Sequence, residues 1–173
     1  ERALLREGES KMPVSLYVHI PFCQQLCTFC GCNKYITNNQ IIVEKYLNAI
    51  EKEIIGVKER LGRRKKIAEI HLGGGTPTFL NPIQLTRLVE MITSNFDTMV
   101  GKEWAFEANP RVTSTEQLEV LYELGFRRVS FGVQDLDPAI QNAINRNQTL
   151  IDIEIKQATA FFFYALERDG DAS

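Results

Sequence analysis

Cys23, Cys27, Cys30 and Cys32 are the only cysteines in the 173-residue chain, and they fall within ten positions of one another. Thiols gathered this closely form a site. As thiolates they are soft ligands that select zinc, copper(I) or iron–sulfur clusters. A structural zinc site normally draws two separated pairs of ligands. Here there is no second pair, and the two histidines, His19 and His71, stand alone in sequence. The spacing CxxxCxxC suits three irons of a cubane [4Fe-4S] cluster, for which four-cysteine ligation is the usual state. Three ligands leave one iron open, the property that separates a catalytic metal from a structural one. Cys32 follows Cys30 after a single glycine, a tight reach for the same cubane, so it is expected near the cluster but not on it. A disulfide arrangement and a zinc knuckle are the competing readings. No signal-peptide pattern opens the sequence, and clustered thiols then fit a reducing compartment, with the cytoplasm as the expected location.

These residues need elements to hold them. Leu16 to Ile20 reads as a strand entering the cysteine loop. Val43, Tyr46, Leu47, Ile50, Ile54, Val57 and Leu61 recur at helical steps of three and four. Ile67 to Leu72 is a second strand, ending in Gly73-Gly74-Gly75. Asn81 and Pro82 are the N-cap and first position of a second helix carried by Leu85, Leu88, Val89, Ile92 and Phe96. A third strand runs from Glu103 to Ala108 and is stopped at Asn109-Pro110. Thr113 and Glu116 have the spacing of a capping box for a third helix, which Gly125 ends. Arg128 to Val133 is the fourth strand, and Asp137-Pro138 opens a fourth helix ending near Arg146. Leu150 to Arg168 is helix-like, with Ile151, Ile155, Ala158, Phe162 and Ala165 on one stripe and Phe161, Phe163 and Tyr164 partly off it.

Strand and helix in strict alternation predict an α/β fold with a parallel sheet, doubly wound or a barrel. Such folds place chemistry beyond the C-terminal ends of their strands. The cysteine loop, the triple glycine, Glu107 and Gln134-Asp135 each follow a different strand, so all fall at one rim. Composition agrees with a globular core of residues 14–168, flanked by an arm at 1–13 and a tail at 169–173: hydrophobic content is 44%. A net charge of -2 argues against a chain that works by coating nucleic acid. The basic run Arg60, Arg63, Arg64, Lys65, Lys66 reads as a solvated connector. No apolar run is long enough to span a membrane. The first residue is Glu1, with no initiator methionine, and a segment cut from something longer is expected.

The run Leu16-Tyr17-Val18-His19-Ile20-Pro21-Phe22-Cys23, the CxxxCxxCxC spacing and Gly73-Gly74-Gly75-Thr76-Pro77-Thr78 together resemble the radical S-adenosylmethionine (SAM) enzymes. More narrowly, Cys30-Gly31-Cys32-Asn33-Lys34, Gly132-Val133-Gln134-Asp135 and Asn145-Arg146-Asn147-Gln148 resemble the oxygen-independent coproporphyrinogen III oxidase family. The resemblance runs from Val14 to about Leu150, and the motifs taken jointly are far more specific than any one alone. Cys32 within its motif speaks for this family over the related radical-SAM-like haem chaperones.

The resemblance implies a partial TIM-like (β/α) barrel of the radical SAM type, truncated to about four βα units. It implies a [4Fe-4S] cluster on Cys23, Cys27 and Cys30, with SAM on the open iron. Reduction of SAM yields a 5'-deoxyadenosyl radical, which in this family starts the oxidative decarboxylation of coproporphyrinogen III to protoporphyrinogen IX. Tyr17, Gly74 and Glu107 match positions that contact the cluster-bound SAM. Phe29, Gly75, Thr76, Gln134 and Arg146 match positions around a second SAM. A flavodoxin-like or ferredoxin-like electron donor and a monomeric chain are further implications. Taken singly, each residue also has a plainer reading: the glycines as a turn, Glu107 as a strand-end carboxylate, Arg146 as a charge at a helix C-terminus, Tyr17 as an alternating strand residue, Phe29 as a lid on the loop. Family members are longer than this chain, which leaves its own turnover an open expectation.

Overall fold

In the computed structural model, which describes residues 12–61, 65–99 and 104–170, alternation along the first apolar run produces strand β1 (Val14–Ile20). Val18 and Ile20 are buried in the core, and Tyr17 and His19 alternate to the other face. Two short strands, β2 (Phe22–Cys23) and β3 (Tyr35–Ile36), pair in parallel across the base of the cysteine loop. Neither is visible as a periodic pattern, since each is two residues long. Helix α1 (Gln40–Leu61) follows, burying Val43, Leu47, Ile54 and Leu61.

Strand β4 (Lys66–Gly74) leads through a 3-10 turn at Pro77–Phe79 to helix α2 (Pro82–Asn95). Asn81 caps α2 as its sequence indicates, in a reciprocal box with Gln84. A stub, β5 (Asp97–Thr98), precedes β6 (Trp104–Ala108). Helix α3 (Thr115–Glu123) is capped one residue later than expected: Ser114 and Gln117 form the box, not Thr113 and Glu116. The reason is that the Thr113 hydroxyl is engaged elsewhere, donating to the Asn109 carbonyl at 2.8 Å and lying 2.8 Å from the Thr78 hydroxyl. Gly125 does follow the helix in the left-handed region, with φ 101°. Strand β7 (Phe126–Phe131), helix α4 (Pro138–Ala143) and helix α5 (Leu150–Gly170) complete the chain. Asp137 caps α4, but the helix stops at Ala143, so Arg146 lies beyond it rather than in its last turn.

The parallel strands are ordered β1-β4-β6-β7, with β5 pairing to β4. Each new long strand is added on the same side, with no reversal. That is barrel order; a doubly wound sheet reverses at a switch point. The core lies between this sheet and the helices: Ile20, Ile70 and Leu72 meet Leu47 of α1, Leu85, Leu88 and Ile92 of α2 and Leu121 of α3, all fully buried. Residues 1–11 of the expected arm, Arg63 and Arg64 of the basic run, Glu103, the tail beyond residue 170, and the side chains of Phe161, Phe162, Phe163, Tyr164 and Ala165 lie outside the described residues.

Candidate functional site

The cysteine loop is anchored at both ends. Phe22 is buried among the rings of Tyr35, Tyr46 and Phe79, at centroid distances of 6.5, 5.2 and 5.5 Å, which fixes Cys23 beside it. The Cys30 amide donates to the Cys27 carbonyl at 3.2 Å, closing a turn. Lys34 then returns its ammonium group to the carbonyls of Cys30, at 2.7 Å, and Cys32, at 3.3 Å. His19 reaches in from β1, its Nε2 lying 2.7 Å from the Asn33 carbonyl. A carbonyl can only accept, so Nε2 carries the proton and Nδ1 accepts from the Tyr17 hydroxyl at 3.2 Å.

All four cysteines are free thiols, with Cys23, Cys27 and Cys30 half-buried and Cys32 exposed. Burial pushes the Cys23 thiol above its ordinary pKa. The Thr76 hydroxyl, 3.5 Å from its sulfur, opposes this, Cys30 and Cys27 reinforce it, and the Arg146 charge opposes it. Burial likewise raises Cys32, helped by Cys30 and the carboxylate of Glu107. Among the described residues, no three His, Cys, Asp or Glu side chains gather closely enough to hold a single metal ion.

Beyond the ends of the strands lies a cavity of about 430 Å³. Nine of the eleven residues singled out in the sequence line it: Cys27, Phe29 and Cys30 from the cysteine loop, Gly74, Gly75 and Thr76 at and after the end of β4, Glu107 in β6, Gln134 after β7, and Arg146 beyond α4. Cys23 is on the other flank of the loop, in a hollow of about 60 Å³ bounded also by Cys30, Gly75, Thr76 and Arg146. Tyr17 is not in the main cavity. It stands on the edge strand, half-exposed, stacks on His71 at 5.7 Å and lines a groove between β1 and α1. Burial, then the charges of Glu107 and Cys32, raise its phenol pKa.

The triple glycine joins β4 to the cysteine loop by close approach. Gly74 has φ 113°, and a Cβ there would lie 2.8 Å from the His19 ring. A Cβ on Gly75 would lie 2.8 Å from the backbone of Pro21 and Phe22. The Gly75 amide donates to the Ile20 carbonyl at 2.8 Å, and the Gly74 amide to Glu107 Oε2 at 3.2 Å. Glu107 Oε1 is 3.6 Å from His71 Nε2. Beneath the loop, Gln117 of α3 donates to the carbonyls of Thr78, at 2.6 Å, and Leu80, at 2.7 Å.

Arg146 donates through Nη2 to the Gly132 carbonyl, and its Nη1 is 3.6 Å from Cys27 Sγ. Its Nε is buried without a partner among the described residues. Gln134 has φ 72°, Asn145 56° and Asn147 48°. Cys32, expected near the cluster, also lines the cavity, together with Asn109, Gly132 and Ser130, of which Ser130 was not singled out in the sequence. Ser130 was findable from alternation in β7, where Arg128 and Ser130 are the exposed residues.

Residues 17–154 match the radical SAM superfamily. The chain belongs to this superfamily. Among its radical SAM relatives, the oxygen-independent coproporphyrinogen III oxidase of Escherichia coli (strain K12) is 43% identical over 136 residues, which are 79% of this chain and 30% of the relative. The protein of the same name from Pseudomonas aeruginosa is 42% identical over 149 residues, 85% of this chain and 32% of the relative. The solved structure of coproporphyrinogen III oxidase from Escherichia coli, described as a radical SAM enzyme, superposes with a TM-score of 0.86 at 39% identity, covering 92% of this chain and 37% of that one. The chain therefore spans about a third of the length of these relatives, and its architecture is a partial radical SAM (β/α) barrel.

Radical SAM proteins use a [4Fe-4S] cluster and SAM. The residues present fit both. Three free, half-buried thiols are a soft donor set with no competing disulfide. The unpartnered Nε of Arg146 is a buried cationic donor suited to a carboxylate such as that of SAM. No helix among the described residues is long and apolar enough to cross a membrane.

Proposed function

We propose that this chain carries the cluster-binding and SAM-binding part of an oxygen-independent coproporphyrinogen III oxidase of haem biosynthesis. The observation that supports this reading best is the meeting of nine expected residues, drawn from four successive βα units, around one cavity beside the cysteine loop. Cys23, Cys27 and Cys30 hold the cluster, and the free thiols suit a reducing, cytoplasmic setting. Bound there, the cluster and SAM supply the carbon radical that removes hydrogen from a propionate side chain of coproporphyrinogen III, the first event in converting it to protoporphyrinogen IX.

The chain's own residues bind and orient. Glu107, already accepting from the Gly74 amide, offers its remaining lone pairs to ammonium or hydroxyl groups of the SAM on the cluster. Tyr17 bounds that side of the barrel interior, next to Glu107. Arg146, held by the Gly132 carbonyl, pairs with the carboxylate of a second SAM, with Gln134, Gly75 and Thr76 around it. Phe29 covers the loop at the cavity mouth, half-exposed and free to pack on a ligand. A small flavodoxin-like or ferredoxin-like protein supplies the electron, and the chain acts as a monomer.

The test is anaerobic reconstitution of the full chain with iron and sulfide. A brown protein is expected, with visible absorbance bleached by dithionite and an electron paramagnetic resonance signal that changes on adding SAM. Cys27→Ala should lose it. A wild-type chain that stays colourless and iron-free would overturn the reading.

A further inference from the structure

The cysteine loop is pinned near Cys23 by the β2–β3 pair and after Cys30 by Lys34. Its middle, residues 24–29, belongs to no strand. That stretch must still be held if three thiols are to present one geometry, because every residue left unfixed loses backbone entropy when a ligand orders it.

The hold comes from the turn after α4. Asn145 accepts through Oδ1 from the Gln25 side-chain amide and donates through Nδ2 to the Leu26 carbonyl at 2.8 Å. The Thr28 amide donates to the Ile144 carbonyl at 3.2 Å, and the Thr28 hydroxyl to the Ala143 carbonyl at 3.2 Å. On its other side, Gln25 accepts from Arg111 Nη2 at 3.0 Å. The middle of the loop is thus gripped between the segment after β6 and the turn after α4, far away in sequence.

Asn145 suits this post for two separable reasons. Its φ of 56° lies in the left-handed region that asparagine tolerates better than most residues. Its amide offers an acceptor and a donor at once, which a carboxylate cannot. It touches no thiol in the hydrogen-bond network. We propose that Asn145, acting through Gln25 and Leu26, is a positioning residue that holds the cysteine loop in its ligand-ready shape. That an iron–sulfur cluster is the ligand of this shape rests on the function proposed above.

Asn145→Gly keeps the left-handed backbone and deletes both side-chain bonds. In the full chain, hydrogen exchange followed by mass spectrometry should show the peptide of residues 24–29, through its Thr28 amide bonded to the Ile144 carbonyl, exchanging about tenfold faster in this variant, the effect of losing one to two hydrogen bonds. Peptides from β1 and β4 should be unchanged. Asn145→Asp, which retains the acceptor for Gln25 but turns a second acceptor toward Leu26, should fall between the two. After iron loading, a chelator should bleach Asn145→Gly about tenfold faster than wild type. Exchange at residues 24–29 that matches wild type overturns the proposal, as does a rise spread equally over β1 and β4. Loosening of the loop with no change in bleaching overturns its role toward the cluster. A wild-type chain that takes up no iron sinks the functional reading, while the exchange result still decides the clamp.

Discussion

At the scale of single residues, the cavity is made by close approach as much as by reactive groups. Gly75 has no space for a methyl group, because the backbone of Pro21 and Phe22 would lie 2.8 Å from it. Gly31, in the cysteine loop itself, has nothing within 4 Å of the same atom. Gly75→Ala should therefore destabilise the chain by about 1–3 kcal/mol, the usual cost of overpacking. Gly31→Ala should leave the denaturant midpoint where it is. Equal effects in urea unfolding would show that the rim is more yielding than its contacts indicate. The same contrast explains why a run of three glycines reads ambiguously as sequence: a turn and a point of backbone contact use the same residue for different reasons.

At the scale of elements, the caps are the sharpest local test. Ser114, not Thr113, accepts from the third helical amide of α3, so Ser114→Ala should cost about 1 kcal/mol in denaturant unfolding. Glu116→Ala should be close to neutral, although its spacing from Thr113 looks like a capping box. Helix α1 makes a different contact with β1: the Tyr46 hydroxyl donates to the His19 carbonyl. Burial, with the charge of Glu53 second, pushes the Tyr46 pKa up to about 12 from 10.0. The neutral phenol is favoured in the fold, so its stabilisation is complete below about pH 10 and fades as pH rises toward 12. Relative to Tyr46→Phe, wild type should thus lose its advantage across that window, read from paired unfolding curves; a pH-independent difference would mean the hydroxyl is not the cause. The four long strands, the order of the helices and the caps at Asn81 and Asp137 were legible because period, proline and cap residues all agreed there. The shift at α3 was not, because Thr113 and Ser114 are equally good caps until the hydroxyl of Thr78 claims one of them. The strands β2 and β3 were hidden because two residues carry no period. The site was legible as a rim, but not the separation of Tyr17 from the main cavity, which depends on β1 being the edge strand of the described sheet.

At the scale of the whole molecule, the walls of the cavity come from four βα units that are otherwise joined mainly through the sheet and its helices. A ligand filling the cavity ties them together. S-adenosylhomocysteine at about a hundredfold above its dissociation constant should raise the unfolding free energy of the iron-loaded chain by about 2.7 kcal/mol. Arg146→Ala should lose most of that gain at the same concentration while keeping a similar ligand-free stability, since the side chain lies beyond α4 and off the core. Circular dichroism through a denaturant series measures both. A variant that retains the full gain would remove Arg146 from the binding site.

The hydrophobic core sits between sheet and helices, while the four thiols lie in and beside the loop that follows β1. The loop that bears them is tied down by the ring packing of Phe22, by hydrogen bonds from Lys34 and by the turn after α4. In a classical zinc finger, by contrast, metal binding and folding are one event. Here the apolar core and the thiols are separate in space, so a cluster seated on the loop would add to a core it does not build. Oxidative loss of a cluster held there would remove ligand bonds without opening the apolar packing between sheet and helices, so the damage would fall on the loop and not on the core.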